Sequence, residues 1–135
     1  MKASNWTRFL VFVAGLNYLL SGLALLAAPM WFFKNIGSFG MFNRHYLGDL
    51  GAFLLPMGIG LLIAARKPHQ HYMLIAVVAT GNIIHAINHI YDAALGQEGL
   101  SHWLSDTIPL IFFAIIFMLV FWERRQQSLA VESSV

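Results

Sequence analysis

Three short stretches gather the side chains that could do chemistry. They are Asn43-Arg44-His45-Tyr46-Leu47-Gly48-Asp49, the run from Asn82 through His85, Asn88 and His89 to Asp92, and His102-Trp103-Leu104-Ser105-Asp106. Residues four apart share one face of a helix. His45 with Asp49, His85 with His89 and His102 with Asp106 are each spaced that way. At 3.6 residues per turn, Asp92 returns to within about 20° of His85, and Asn82 lies on the same stripe. Imidazole suits zinc, iron, copper or nickel, while carboxylates favour harder cations. Two or three His with one or two Asp make a sensible ligand set for zinc or iron(II). An open coordination position would let bound water ionise near neutral pH, with Asp49 or Asp92 as proton acceptor. The expected ligands are His45, Asp49, His85, His89 and Asp106, with Asp92 and His102 at the rim. Arg44, Asn82, Asn88 and Ser105 are placed to orient them.

The elements that must carry these residues are apolar. Of 135 residues, 59% are hydrophobic and 10% charged, against roughly 25% charged in a soluble domain. That composition excludes a cytosolic enzyme or a disordered chain. Eight basic residues scattered over the segment ends leave no basic patch for nucleic acid. Cysteine is absent, which removes disulfides, thiolate metal sites and iron–sulfur clusters. A spanning helix needs about 20 mostly apolar residues. Four stretches qualify, at about 9–28, 41–65, 72–92 and 102–122. The first exceeds the apolar run of a signal peptide and is read as a retained span. The chain therefore predicts an all-α, integral-membrane, antiparallel four-helix bundle over 1–125, with a loose tail at 126–135. Gly15 and Gly22 on the first span, and Gly48, Gly51, Gly58 and Gly60 on the second, offer close backbone approach. Pro56 and Pro109 are potential kinks.

Basic residues set the direction. Lys2, Arg8, Arg66, Lys67, Arg124 and Arg125 fall on one side of a four-span bundle, and Lys34 and Arg44 on the other. Both termini are therefore expected in the cytoplasm. Met30-Trp31-Phe32-Phe33-Lys34 reads as a short segment in the outer interface. All three polar stretches then fall at the outer end. By helix rise, Asp49 and His85 lie roughly 10 Å deep and His45, His89 and Asp106 roughly 4–6 Å deep. A lone charge at mid-bilayer costs roughly 2.5–3.5 kcal/mol on insertion scales, so the clustering asks for a reason.

Metal binding is the leading reason. Haem b or a quinone pocket is an alternative, with His45, His85 and His89 as axial candidates. A structural or proton-relay network of His, Asp and Arg44 is another. The Glu-x-x-His spacing of ferritin-like bundles, the H-E-x-x-H helix and the Gly-x-Ser-x-Gly elbow are all missing.

The Asn-Arg-His-x-x-x-Asp opening of the second span and the His-x-x-Asn-His-x-x-Asp close of the third resemble small four-span bacterial membrane proteins of DoxX-like type. The likeness covers the four spans. It implies a bacterial inner-membrane location and a tilt toward redox partners, because DoxX-like proteins are associated with respiratory or redox membrane complexes. Membrane lipids are the first partner. A homo-oligomer or a subunit of a larger membrane complex fits a chain of this size, and no nucleic acid is expected.

Overall fold

The computed structural model describes residues 3–37, 40–96 and 108–133. Among the described residues, five helices make up the regular structure and no strand occurs. They are α1 (Asn5–Ala27), α2 (Pro29–Asn35), α3 (Arg44–Arg66), α4 (Tyr72–Ala94) and α5 (Ile108–Glu132). Helices α1, α3 and α4 are each 23 residues long and apolar enough to cross a membrane. At 1.5 Å per residue each extends about 34 Å, enough for a hydrocarbon layer of about 30 Å.

Local sequence explains where the helices begin. The Ser4 hydroxyl accepts from Thr7 N at 3.0 Å and caps α1. Asn43 caps α3, its Oδ1 accepting from Tyr46 N at 3.1 Å. Each cap satisfies an N–H that has no partner inside the helix. The aromatic segment after α1 is a short helix with Pro29 at its start, where a missing N–H costs nothing. α3 runs through Pro56 from Arg44 to Arg66. The described part of α5 starts one residue before Pro109.

The last helix corrects one boundary. The stretch after Arg125, read from the sequence as a loose tail, is helical as far as Glu132. The end of an apolar run marks where a helix leaves the bilayer, whereas Glu, Arg, Gln, Leu and Ala all sustain helix in water.

Among the described helices, α1 and α3 pack most extensively against each other, antiparallel, and glycine makes their close approach possible. A Cβ added at Gly22 would lie 2.6 Å from Leu55 N, and one at Gly58 would meet the backbone of Leu19 and Tyr18. Only bare Cα atoms allow the two backbones so near. Below this seam, Leu10, Val11 and Ala14 of α1 join Leu61 and Ala64 of α3, Ile75 and Val78 of α4, and Phe113 and Phe117 of α5 in the main apolar core. A second cluster of Leu25, Phe32 and Leu47 pins α2 across the opposite end of the α1–α3 pair. Outward faces remain apolar, with Phe9, Phe12, Leu20, Phe53, Ile63 and Val77 all exposed. That distribution suits contact with acyl chains.

Candidate functional site

On α3 the buried stripe includes Leu47, Gly51, Gly58 and Leu61. At about 100° per residue, His45 and Asp49 each stand about 160° from Leu47. They therefore occupy the face turned away from α1. Their side chains form an ion-pair geometry along the helix, His45 Nε2 to Asp49 Oδ2 at 3.6 Å, and are 90% and 60% exposed. Arg44, the first residue of α3, is also exposed.

The same face of α3 meets α4 further along. A Cβ added at Gly60 would lie 2.9 Å from Leu74 Cδ2, which fixes the antiparallel register of the two helices. Asp49 is eleven residues from Gly60 and His85 eleven from Leu74. His45 and His89 are each fifteen away. Eleven residues bring a side chain back to within about 20° of its starting direction, and fifteen to within about 60°. So Asp49 levels with His85 and His45 with His89, and all four lie on the faces that touch at Gly60–Leu74. Above that contact the faces part. A Cβ added at Gly81 meets nothing within 4 Å, and Phe53, at the same height on α3, is 68% exposed. The four residues thus overlook one open cleft between α3 and α4.

On α4 the two imidazoles come together. His85 Nε2 and His89 Nε2 are 3.1 Å apart, with ring centroids 4.9 Å apart and the rings tilted by 52°. Both residues also engage in further interactions. Beside them, Asn88 Nδ2 donates to Asp92 Oδ2 at 3.0 Å, which holds the Asp92 carboxylate on its own helix.

The expected ligand set is not gathered into one group. Among the described residues, no three His, Asp or Glu side chains come together in a way that could hold a metal ion. The two pairs share heights but belong to separate helices, His45 with Asp49 on α3 and His85 with His89 on α4. His102, Ser105 and Asp106 lie outside the described residues.

Asn82 has a different place from the one its spacing suggested. It is 2% exposed. Its Oδ1 accepts from Tyr18 Oη at 3.1 Å, and its Nδ2 donates to Leu110 O at 3.0 Å. It stands about 60° around α4 from His85, far enough to turn from the cleft into the core. Asn82 therefore joins α1, α4 and α5 instead of orienting an imidazole. Tyr18 was not foreseen as its partner. The only signal for it in the sequence is a phenol within an apolar span, and such a group usually finds a hydrogen bond when buried.

No family model, no curated protein and no solved structure matches the chain. The DoxX-like resemblance accordingly rests on the two quoted motifs.

Proposed function

We propose that this protein is a small four-span protein of a bacterial inner membrane, with both termini in the cytoplasm, that binds a transition-metal ion near its outer face. His85 and His89 are the primary ligands, and His45 and Asp49 complete the shell from α3. Asp106 and His102 remain ligand candidates from the sequence. Zinc or iron is favoured, because there is no thiolate for softer ions.

The observation that carries this reading is the 3.1 Å separation of the His85 and His89 Nε2 atoms. Two imidazoles bound to one tetrahedral zinc at about 2.05 Å hold their nitrogens about 3.3 Å apart. The α4 pair is thus close to the spacing of two ligands on one ion. His45 and Asp49 face the same cleft at matching heights, and a cation there would offset the cost of carrying the Asp49 charge into the membrane. With a coordination position left for water, the ion could supply a hydroxide or take part in electron transfer.

The same contact supports a second reading, in which His85 and His89 share one proton in an N–H···N bond and belong to a polar network without metal. Haem b fits the geometry less directly. If haem were bound, one imidazole from each helix would hold it, His45 with His85 or His89, and it would supply redox chemistry there.

Elemental analysis of the full chain purified in mild detergent separates these readings. Near-stoichiometric zinc or iron, lost in His85→Ala and in His89→Ala while helicity is retained, is the expected result. Wild-type protein that takes up no metal after incubation with zinc or iron(II) would overturn it. A Soret band in the absorbance spectrum would assign the site to haem instead.

A further inference from the structure

Helix α1 turns an amide outward at the level where a membrane is driest. Asn17 is exposed, and it lies one residue from Leu16, the midpoint of Asn5–Ala27. At 1.5 Å per residue, the amide sits about 1.5 Å from the middle of the helix. It therefore stands about 15 Å from either edge of a hydrocarbon layer of about 30 Å. Long Lys and Arg side chains near helix ends extend to the interface. A side chain as short as asparagine cannot do so from mid-membrane.

The fold gives this amide no internal partner. At about 100° per residue, Asn17 stands about 160° from Gly15 and about 140° from Gly22, and both of those glycines meet α3. Asn17 is thus turned away from α3. Helices α4 and α5 pass at the same height, because Tyr18, the next residue, donates to Asn82, and Asn82 donates to Leu110 O. They leave Asn17 exposed all the same. Among the described residues, neither the Asn17 amide nor the half-buried Ser21 hydroxyl, one turn further on, has a hydrogen-bond partner. Thr80 of α4 makes the contrast. It is also exposed, but its hydroxyl donates to Ala76 O of its own helix at 2.9 Å.

An amide in hydrocarbon without a hydrogen bond is costly. Symmetry says what can satisfy this one. Two copies inserted in the same direction are related by an axis along the membrane normal, so each residue meets its equivalent at its own depth. A primary amide carries an acceptor oxygen and two N–H donors. Each Asn17 Nδ2 can donate to the Oδ1 of its equivalent, which makes two reciprocal bonds. Ser21 shares the face at spacing four, and its hydroxyl is likewise donor and acceptor. Ala24, about 20° around the helix from Asn17, lets a second backbone come near. A different protein would need its own polar group at mid-membrane depth, whereas a second copy brings one there by construction.

We propose that the protein forms a parallel homodimer through this face of α1, centred on reciprocal hydrogen bonds between the Asn17 amides of two copies, with Ser21 in support. The proposal rests on α1 crossing the membrane and is independent of the metal site.

The test uses full-length chains carrying donor or acceptor fluorophores at the N-terminus, in vesicles of phosphatidylethanolamine and phosphatidylglycerol. Energy transfer is followed as the protein is diluted in lipid. Wild-type protein is expected to dimerise. Asn17→Leu should weaken the dimer about tenfold, the size of two interhelical hydrogen bonds of average strength. Asn17→Gln should keep part of the affinity, and Thr80→Val should leave it unchanged. The chain has no cysteine, so a single introduced one reports the face. Ser21→Cys should cross-link two copies under mild oxidation. Leu23→Cys, at an exposed position about 120° around α1 from Asn17, should not. Circular dichroism confirms that each variant keeps its helices. A wild-type protein that is monomeric at every dilution, a dimer unchanged in Asn17→Leu, or equal cross-linking at the two cysteine positions would overturn the proposal. Lower stability of the monomer in Asn17→Leu with association unchanged would reveal a partner for the amide within the chain, which also overturns it.

Discussion

The phenol of Tyr18 donates to the side-chain oxygen of Asn82 at 3.1 Å, and that one contact ties α1 to α4. The Asn82 amide also donates to Leu110 O, so a single buried side chain bridges three helices. Hydrogen bonds between membrane helices contribute about 0.6 kcal/mol on average and up to about 1.7 kcal/mol. Tyr18→Phe should therefore lower stability by about 0.6 kcal/mol, and Asn82→Ala, which loses both bonds, by about 1–2 kcal/mol. The double variant should cost less than the sum of the two. Reversible unfolding in detergent measures all three, and strict additivity would show that the contact carries no energy.

The α1–α3 seam gives a sharper contrast. A methyl group at Gly58 would run into the backbone of Leu19 and Tyr18, which cannot yield without separating the helices. A methyl group at Gly48 meets nothing within 4 Å. Gly58→Ala should lower the melting temperature markedly, by the equivalent of about 1–3 kcal/mol of overpacking. Gly48→Ala should be neutral or mildly stabilising, since alanine in a helix is favoured over glycine by about 0.5–1 kcal/mol. Equal effects at the two positions would contradict the seam as described. From the sequence, Gly48 and Gly58 look alike, because both are small residues in one apolar span. Which of them touches α1 depends on the register between helices, and a single sequence does not encode that visibly.

The polar stripes were more legible than the glycines. The i, i+4 pairs His45–Asp49 and His85–His89 follow from helix geometry alone, and the structure keeps both as close pairs. Whether the two stripes converge was not legible. Convergence depends on how α3 packs on α4, and the contact of Leu74 with Gly60 that fixes their register leaves no mark in the sequence. Asn82 was misplaced for a related reason. A three-residue offset from His85 is close enough to look coaxial on a helical stripe, yet it turns the amide into the core toward Tyr18, 64 residues away in the chain.

The register of the cleft can be measured directly. Spin labels at Phe53 and Gly81 should give a shorter mean distance than labels at Phe53 and Asn88, because seven residues add about 10 Å of axial offset. Phe53 is exposed and Gly81 faces open space, so both positions accept a label. If a metal ion bridges the α3 and α4 pairs, zinc should shorten and narrow the Phe53–Gly81 distribution and should fail to do so in His45→Ala. A zinc-induced shortening that persists in His45→Ala would place the closing ligand elsewhere.

The direction of the chain in the bilayer decides which compartment the histidine cleft serves. Three of the described helices are long and apolar enough to cross, and α5 would be the fourth. Its described part begins at Ile108, so every 18-residue window within it reaches the three charges at Glu123, Arg124 and Arg125. If the segment before Ile108 completes a fourth crossing, the C-terminus shares a side with the N-terminus, and six of eight basic residues lie there. A fluorescent protein fused after Val135 should then be bright in cells, and alkaline phosphatase fused at the same point inactive. Alkaline phosphatase inserted at Gly40, between α2 and α3, should be active. An active fusion at Val135 together with an inactive one at Gly40 would invert the molecule. The histidine cleft would then open to the cytoplasm. Activity at both points would mean three crossings, with α5 outside the membrane and its apolar face covered by a partner.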